Sequence, residues 1–524
     1  MSIELPSTYK HTNISDGVRS ACLKNPSKIA YKHGKNTRTY NELAQRIDSI
    51  SSLISSFGIL SKSNIAIVAS NSIEYMEIVL AASQLGHPIA TVNPKLTIKE
   101  IVSICEDAQA SLIFVDEKVS KLLEGIHIDG AQRTINIESE LSNLIDQSSQ
   151  MDGLPAIDEK ETFTIPYTSG TTGKPKGVLV PHRSRALTLY GMADAYGCFS
   201  SDDRFLSIAP MCHGAGMIFS LAPVFFGGYA EIMDDFNPEL VMKTIEDENI
   251  TGFFGVPTHF YGMLGIDQSI LDSCTGSSLK TIISNAAALP QSLKEKIVEH
   301  FGEGLLYECY GSTEGGIISN LKPEDQLRKK QCVGEPFPFT EIKILNHDGN
   351  ECGPNEVGEV FTSSPYIFNG YWQKEKETQD AFDGEWLTVG DLAKKDEDGF
   401  LYIVDRKKDM VISGGINIYP REIEEVLLEH PEINDIAIVG EPDEKWGEII
   451  KAFIVFKEEE LSLDEIQDFC SNKIASIKIP KIIEEGNDDC GDDLGGLGKD
   501  VTLYGADWIN DWEETVLDLT RSFV

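Results

Sequence analysis

Residues 167–178 read Tyr167-Thr168-Ser169-Gly170-Thr171-Thr172-Gly173-Lys174-Pro175-Lys176-Gly177-Val178, a run whose residue types can hold an anion. Three glycines free the backbone to turn, so successive N–H groups can converge on one charged group. Four hydroxyls and two lysines add donors, a set suited to a triphosphate or pyrophosphate. It is not a Walker A loop, because Lys174 is followed by Pro175 rather than Ser or Thr and the spacing from Gly170 is wrong. A flexible polar surface loop is the plainer reading of such a run. The strand-like flanks Phe163-Thr164-Ile165-Pro166 and Val178-Leu179-Val180 favour a functional one.

The loop must be positioned by regular elements, and these are legible around it. Ile65–Ala69, Ser111–Val115, Gly252–Val256 and Thr281–Ser284 are short apolar strand patterns, mostly followed by helical ones. Ser72–Leu85, for example, reads as an amphipathic helix starting near Asn71. Such alternation predicts an α/β fold of parallel-type sheets covered by helices. After Val357 the pattern changes to short strands and turns, as in Gly358–Phe361 and Gly399–Val404. The charged run Asp405–Asp409 reads as a boundary. Beyond it a small α+β domain is expected, with a helix at Glu422–Leu428 and strands at Ile436–Val439 and Ala452–Val455.

Composition narrows the function classes. A chain of 524 residues with 41% hydrophobic and 25% charged residues is globular and long enough for two domains. With 45 basic against 84 acidic residues, the formal charge of −39 disfavours nucleic acid and anionic lipid as partners. The ten cysteines form no C-x-x-C pair, so neither a zinc site nor a disulfide scaffold is indicated. Phe205–Ala230 lacks any acid, Lys or Arg, but two prolines (Pro210 and Pro223) and histidine–glycine interruptions make a buried pocket-forming segment the expectation, not a membrane span. With no signal pattern at Met1–Pro6 and no peroxisomal tripeptide at the end, a cytoplasmic protein is expected.

Taken with Tyr310-Gly311-Ser312-Thr313-Glu314, Gly390-Asp391 and the stretch Asp405–Glu422, the loop resembles the adenylate-forming superfamily. That family holds acyl- and aryl-CoA synthetases, free-standing aryl ligases, adenylation domains and beetle luciferases. The likeness runs over roughly residues 20–481 with five motifs in order. It implies a large N-terminal domain (1–405), a hinge (406–409) and a small mobile C-terminal domain (410–485). It also implies two half-reactions. A carboxylate and MgATP give acyl-adenylate and pyrophosphate; a thiol, usually of CoA, then takes the acyl group.

The resemblance also implies residue roles. Thr168, Ser169, Gly170, Thr171, Thr172, Gly173 and Lys176 would hold the phosphates. Tyr310 offers a flat face for adenine, with Gly311 and Ser312 beside it, and Thr313 a hydroxyl for the α-phosphate. Glu314 is a hard oxygen ligand suited to Mg²⁺. Asp391 matches the carboxylate that accepts the ribose hydroxyls, and Arg406 the residue that contacts ribose or phosphate. Asn285, Ala286 and Ala287 correspond to the nucleotide-side loop, with Asn285 and Ala287 where glycines are more usual. Lys408 stands at the hinge, where a solvated linker is the alternative. Ser413, Gly414 and Gly415 would admit the pantetheine arm. His213 matches a histidine beside the acyl carboxylate, with a plain core histidine as the competing reading. Gly214, Ala215, Met217, Gly315 and Gly316 would shape an acyl pocket roomy enough for an aryl or medium-to-long alkyl acid.

The C-terminus departs from the family. Where a Pro-x-Thr-x-x-Gly-Lys segment is expected, the chain has Leu494-Gly495-Gly496-Leu497-Gly498-Lys499. Lys499 is the sole nearby candidate for the catalytic lysine; a solvated loop lysine or a replaced tail is the alternative. Residues 486–524 form an acidic tail in which Trp508, Trp512, Val516, Leu519 and Phe523 share one helical face, read as a docked or partner-seeking helix. The expected activity is an ATP- and Mg²⁺-dependent acyl-CoA synthetase. Competing readings are an acyl-AMP ligase loading a carrier protein and a non-catalytic adenylate binder. A homodimer is left open.

Overall fold

The computed structural model describes residues 11–148, 153–168, 175–443, 445–457, 460–471 and 473–485. The predicted tail, Lys499 and Ser169–Gly173 fall outside them.

Two large sheets carry the N-terminal part. In the first, Arg133–Asn136, Leu112–Val115, Ile65–Val68, Ile89–Val92 and Thr162–Thr168 run parallel, in that order. Antiparallel Lys176–Gly177 and Val180–Pro181 pair with the last of them. In the second, Tyr229–Ile232, Arg204–Ser207, Gly252–Gly255, Thr281–Ser284 and Leu306–Ser312 are parallel neighbours. Strands such as Ile65–Val68 and Leu112–Val115 are buried at every position, as strands covered on both faces must be.

Several local expectations are refined. The helix is Ile73–Leu85, N-capped by Ser72, and it is not amphipathic: all residues from Ile73 to Gln84 except Glu74 are buried. Its Glu77 is fully buried and accepts from Arg38 Nε at 2.9 Å and Arg46 Nε at 3.1 Å, which is how a carboxylate survives there. The run Val178-Leu179-Val180 is not one strand. Val178 bridges to Tyr371, and Leu179 N–H donates to Gly370 O at 2.9 Å.

A third, antiparallel sheet contains Glu341–Leu345, Gly358–Ser363, Asp391–Lys395 and Leu401–Arg406. The fourth contains Val411–Ser413, Ile416–Ile418, Ile433–Asp443, Gly447–Phe456 and Ile482–Glu485, packed with helices Pro420–Leu427 and Leu463–Cys470 around their own apolar cluster. The intervening charged run is not simply solvated, since Asp405 and Asp409 are buried. Asp405 accepts the backbone N–H of Arg406 at 2.7 Å and of Arg421 at 3.1 Å, joining the third sheet to the first turn of the small domain's helix.

The uncharged stretch 205–230 supplies strand Arg204–Ser207, helix Gly214–Phe225 and the start of Tyr229–Ile232, all largely buried. Among the described residues no helix is long and apolar enough to cross a membrane. Gly216 is required by close approach, because a Cβ there would lie 1.9 Å from Pro210 O. Gly216→Ala is therefore expected to destabilise the protein by about 1–3 kcal/mol, as overpacking against backbone does. Chemical denaturation of parent and variant measures this.

Candidate active site

Open parallel sheets bind ligands beyond the carboxyl ends of their strands. In the second sheet, Ser207, Gly255, Ser284 and Ser312 end strands on that edge. The segments Ile208–His213, Asn285–Ala288 and Thr313–Gly315 follow from it. The last is the tip of a hairpin, Leu306–Ser312 pairing antiparallel with Gly316–Leu321. The hairpin is tight enough to exclude a side chain at Gly311, whose Cβ would lie 2.0 Å from Gly316 O. In the neighbouring loop Ala286 adopts φ +74°, a left-handed conformation that costs a residue with a Cβ about 1 kcal/mol or more.

The hairpin residues are drawn into one polar cluster. Tyr310 OH donates to Asp391 Oδ2, and Arg406 Nε stands 3.7 Å from Asp391 Oδ1. Burial, and secondarily Asp391, raises the Tyr310 pKa well above its ordinary value, so the phenol stays a donor. Glu314 is buried, and its Oε1 accepts from Tyr371 OH at 2.8 Å. Lys176 Nζ lies 5.3 Å from the centroid of the Tyr371 ring. Thr168 pairs with Lys176, so the two ends of the glycine-rich loop meet beside Tyr371 and Glu314. Tyr371 was not singled out from sequence; its signal is only a tyrosine after Gly370, at φ +122°.

The segment Ile208–His213 is held by both sheets. Asn71 Nδ2 donates to Ala209 O and Met233 O, each at 3.1 Å, and its Oδ1 accepts from Met211 N at 2.7 Å. Thr91 Oγ1 donates to Cys212 O at 2.7 Å. Asn71 and Thr91 are positioning residues that residue types alone did not reveal. His213 is the N-cap of helix Gly214–Phe225, and its Nε2 is buried without a hydrogen-bond partner. Gly214 and Ala215 are half-buried on the first turn, while Met217 belongs to the main apolar core.

Other predicted residues are not in this cluster. Ser413, Gly414 and Gly415 form a hairpin turn in the fourth sheet, where Gly414 N–H donates to Trp446 O at 2.7 Å. Lys408 lies between the third and fourth sheets. Among the described residues no group of three or more His, Cys, Asp or Glu could hold a metal by itself.

The family profile for AMP-binding enzymes matches residues 18–372, and that for the AMP-binding enzyme C-terminal domain matches residues 422–488. The chain belongs to the AMP-binding enzymes. It is 31% identical over 473 residues to a 2-succinylbenzoate–CoA ligase of Geobacillus kaustophilus, covering 90% of this chain and 93% of that one. A medium/long-chain-fatty-acid–CoA ligase of Mycobacterium tuberculosis is also 31% identical, over 86% and 82% of the two chains. The o-succinylbenzoate CoA synthetase of Bacillus subtilis, solved with an acyl-adenylate intermediate, superposes with a TM-score of 0.81 at 29% identity, over 90% and 94% of the chains. The same synthetase has been solved with ATP and a magnesium ion. This AMP-binding enzyme is thus an AMP-forming acid–thiol ligase with a large α/β domain and a small C-terminal one, using ATP, Mg²⁺ and CoA.

Desolvated histidines, chiefly the buried His182 and the half-buried His213, give the fold an acid limit. Burial lowers His213 and His182 from 6.5 to about 4, so both are neutral at pH 7. Unfolded histidines take up protons below about pH 6.5, whereas the folded ones resist until near pH 4, so stability is lost as pH falls through that window. Each contributes on the order of 3 kcal/mol to the loss. Unfolding free energies measured from pH 7 to 4 should show this slope, and His213→Asn should remove about half of the histidine share.

Proposed function

We propose that this AMP-binding enzyme activates an aryl or medium-to-long alkyl carboxylic acid and passes it to the thiol of CoA, with the Tyr310–Asp391 cluster as its nucleotide site. The observation that carries the proposal is the convergence of Tyr310, Asp391, Arg406, Glu314 and the base of the glycine-rich loop. Tyr310 presents a flat face for adenine, and Asp391 accepts from ribose hydroxyls in exchange for its present donors. Arg406, about half exposed, is able to swing from Asp391 to phosphate. Thr168 to Lys176 surround the phosphates, and Thr313 reaches the α-phosphate.

Glu314 fits a Mg²⁺ ligand: one carboxylate oxygen is oriented by Tyr371, and Mg²⁺ is commonly held by one or two carboxylates together with substrate phosphates. When bound, the ion neutralises charge on the phosphate oxygens. The protein's own contribution is to orient the acid for in-line attack on the α-phosphorus and to place donors around the accumulating charge. A neutral His213 at the wall of the acid pocket forms no ion pair with the carboxylate nucleophile, which is already ionised at pH 7.

For the second step the small domain turns about Lys408, exchanging Lys499 for the glycines of the Ser413–Gly415 turn, which admit the pantetheine arm. Carrier-bound pantetheine presents the same thiol and is the alternative acceptor. The nine described cysteines are all unpaired, which supports a reducing, cytoplasmic setting. The aryl side of the acid class is favoured by the succinylbenzoate ligases among the relatives.

Pyrophosphate and AMP should form only when Mg²⁺ and a suitable carboxylic acid are both present, assayed over an acid panel with and without CoA. Release of ADP and phosphate would overturn the reading. The two half-reactions also separate the two lysines. Lys499→Ala should slow adenylate formation by about 10²-fold or more while sparing thioester formation from supplied acyl-adenylate. Lys408→Pro should do the reverse by stiffening the hinge. Adenylation by Lys499→Ala at the parent rate would remove that lysine from the chemistry.

A further inference from the structure

The helix Gly214–Phe225 has no side-chain cap hydrogen bond at its first turn. A helix N-terminus presents unsatisfied N–H groups and about half a positive charge. Here it faces another cation. A Cβ built on Gly214 would lie 3.1 Å from Arg185 Nη2, so the guanidinium, carried by helix His182–Tyr196, lies against the start of the second helix. Arg185 is only 8% exposed. Among the described residues it has no ion pair or hydrogen bond, and burial alone lowers its pKa to about 10, with no carboxylate offsetting the cost. Buried charges are ordinarily paired. A cation packed against the positive end of a helix is a site for an anion that the chain itself does not supply.

Three anions come near in the proposed reaction. The triphosphate already has the glycine-rich loop and the Tyr310–Asp391 cluster. The reacting carboxylate loses its charge on adenylation, so an arginine dedicated to it would stabilise the ground state over the transition state and then be stranded. A second, unreacting carboxylate keeps its charge through both half-reactions. We propose that Arg185, with the first turn of helix Gly214–Phe225, binds a second carboxylate of the acid, making the preferred substrate a dicarboxylic acid. The inference rests on the reading that Pro210–Met217 walls the acid pocket, and it names the acid class of that site.

Two matched pairs of acids test it. One pair is 2-succinylbenzoate against 4-oxo-4-phenylbutanoate, which lacks the ring carboxylate; the other is suberate against monomethyl suberate. Calorimetric binding and pyrophosphate release are measured in the parent, Arg185→Leu and Arg185→Lys. In the parent at least one diacid should be favoured over its partner by on the order of 10²-fold in both readouts. Arg185→Leu should collapse that ratio, with Arg185→Lys intermediate because it keeps the charge but not the fork. Without acid, Arg185→Leu should also melt above the parent, because it removes an unpaired buried charge.

Equal loss on both members of each pair, a change confined to the KM for ATP, or a parent that favours the monoacids would overturn the anchor. So would a melting temperature of Arg185→Leu below that of the parent. If no acid yields AMP and pyrophosphate but the calorimetric difference persists, the ligase reading falls and the anchor stands.

Discussion

The carboxylate of Asp391 is where three parts of the molecule meet. It accepts from Tyr310 at the end of a parallel strand, faces Arg406 at the end of the third sheet, and sits on the turn whose Gly390 carbonyl accepts from Lys407 N at 2.7 Å. Residues 405–409 lead directly into the small domain, and Asp405 there also holds the backbone N–H of Arg421. Any change in what the oxygens of Asp391 accept therefore bears on Tyr310 and on Arg406, the residue at the end of the strand from which the small domain departs. One charged cluster thus ties the end of the large domain's hairpin to the segment that leads into the small domain.

The segment that leads to His213 depends on a different constraint, the coupling of the two large sheets. Ala209–Cys212 is fixed less by its own sequence than by Asn71, Tyr75 and Thr91 from the first sheet's layer. Those bonds are buried, so leaving any of them unmade would cost about 1–3 kcal/mol. The rigidity of the wall that carries His213 is therefore a property of the packed pair of sheets. It also explains how two unpartnered polar groups, His213 Nε2 and the Arg185 guanidinium, persist at one place: the surroundings are too well determined to relax around them.

What could be read from the sequence was chemistry carried by neighbours in the chain. Tyr310, Thr313 and Glu314 lie within five residues on one hairpin, and the two ends of the glycine-rich loop close on each other, so spacing alone put these side chains together, while their roles came only with the family resemblance. Strand runs such as Ile65–Val68 and Leu112–Val115 were equally plain because they are apolar at every position. Tyr371 was invisible because its role is a bond to Glu314 across 57 positions. Arg185 was invisible because its significance lies in having no partner, which only burial reveals. The helix Ile73–Leu85 looked two-faced because a buried Glu77 counts as polar until Arg38 and Arg46 are seen to neutralise it. The run 405–409 looked like a linker for the same reason, its charges counted without their backbone partners.

The formal charge of −39 sharpens the question of how three anionic substrates are held. Surface charges act through water and salt, which screen them beyond about 8 Å at physiological ionic strength. Lys176 and Arg406 are partly exposed, and their attraction for any anion is screened in the same way. Arg185 is different in kind: removed from water, its field is weakened little by salt and its desolvation has already been imposed by folding. An anion reaching it meets a cation that no longer has to shed its hydration, so only the anion's own desolvation opposes binding. On the proposed reading, the stability sacrificed in the unliganded fold is recovered as selectivity for the acid, where a buried guanidinium without an ion pair among the described residues lies beside a helix N-terminus.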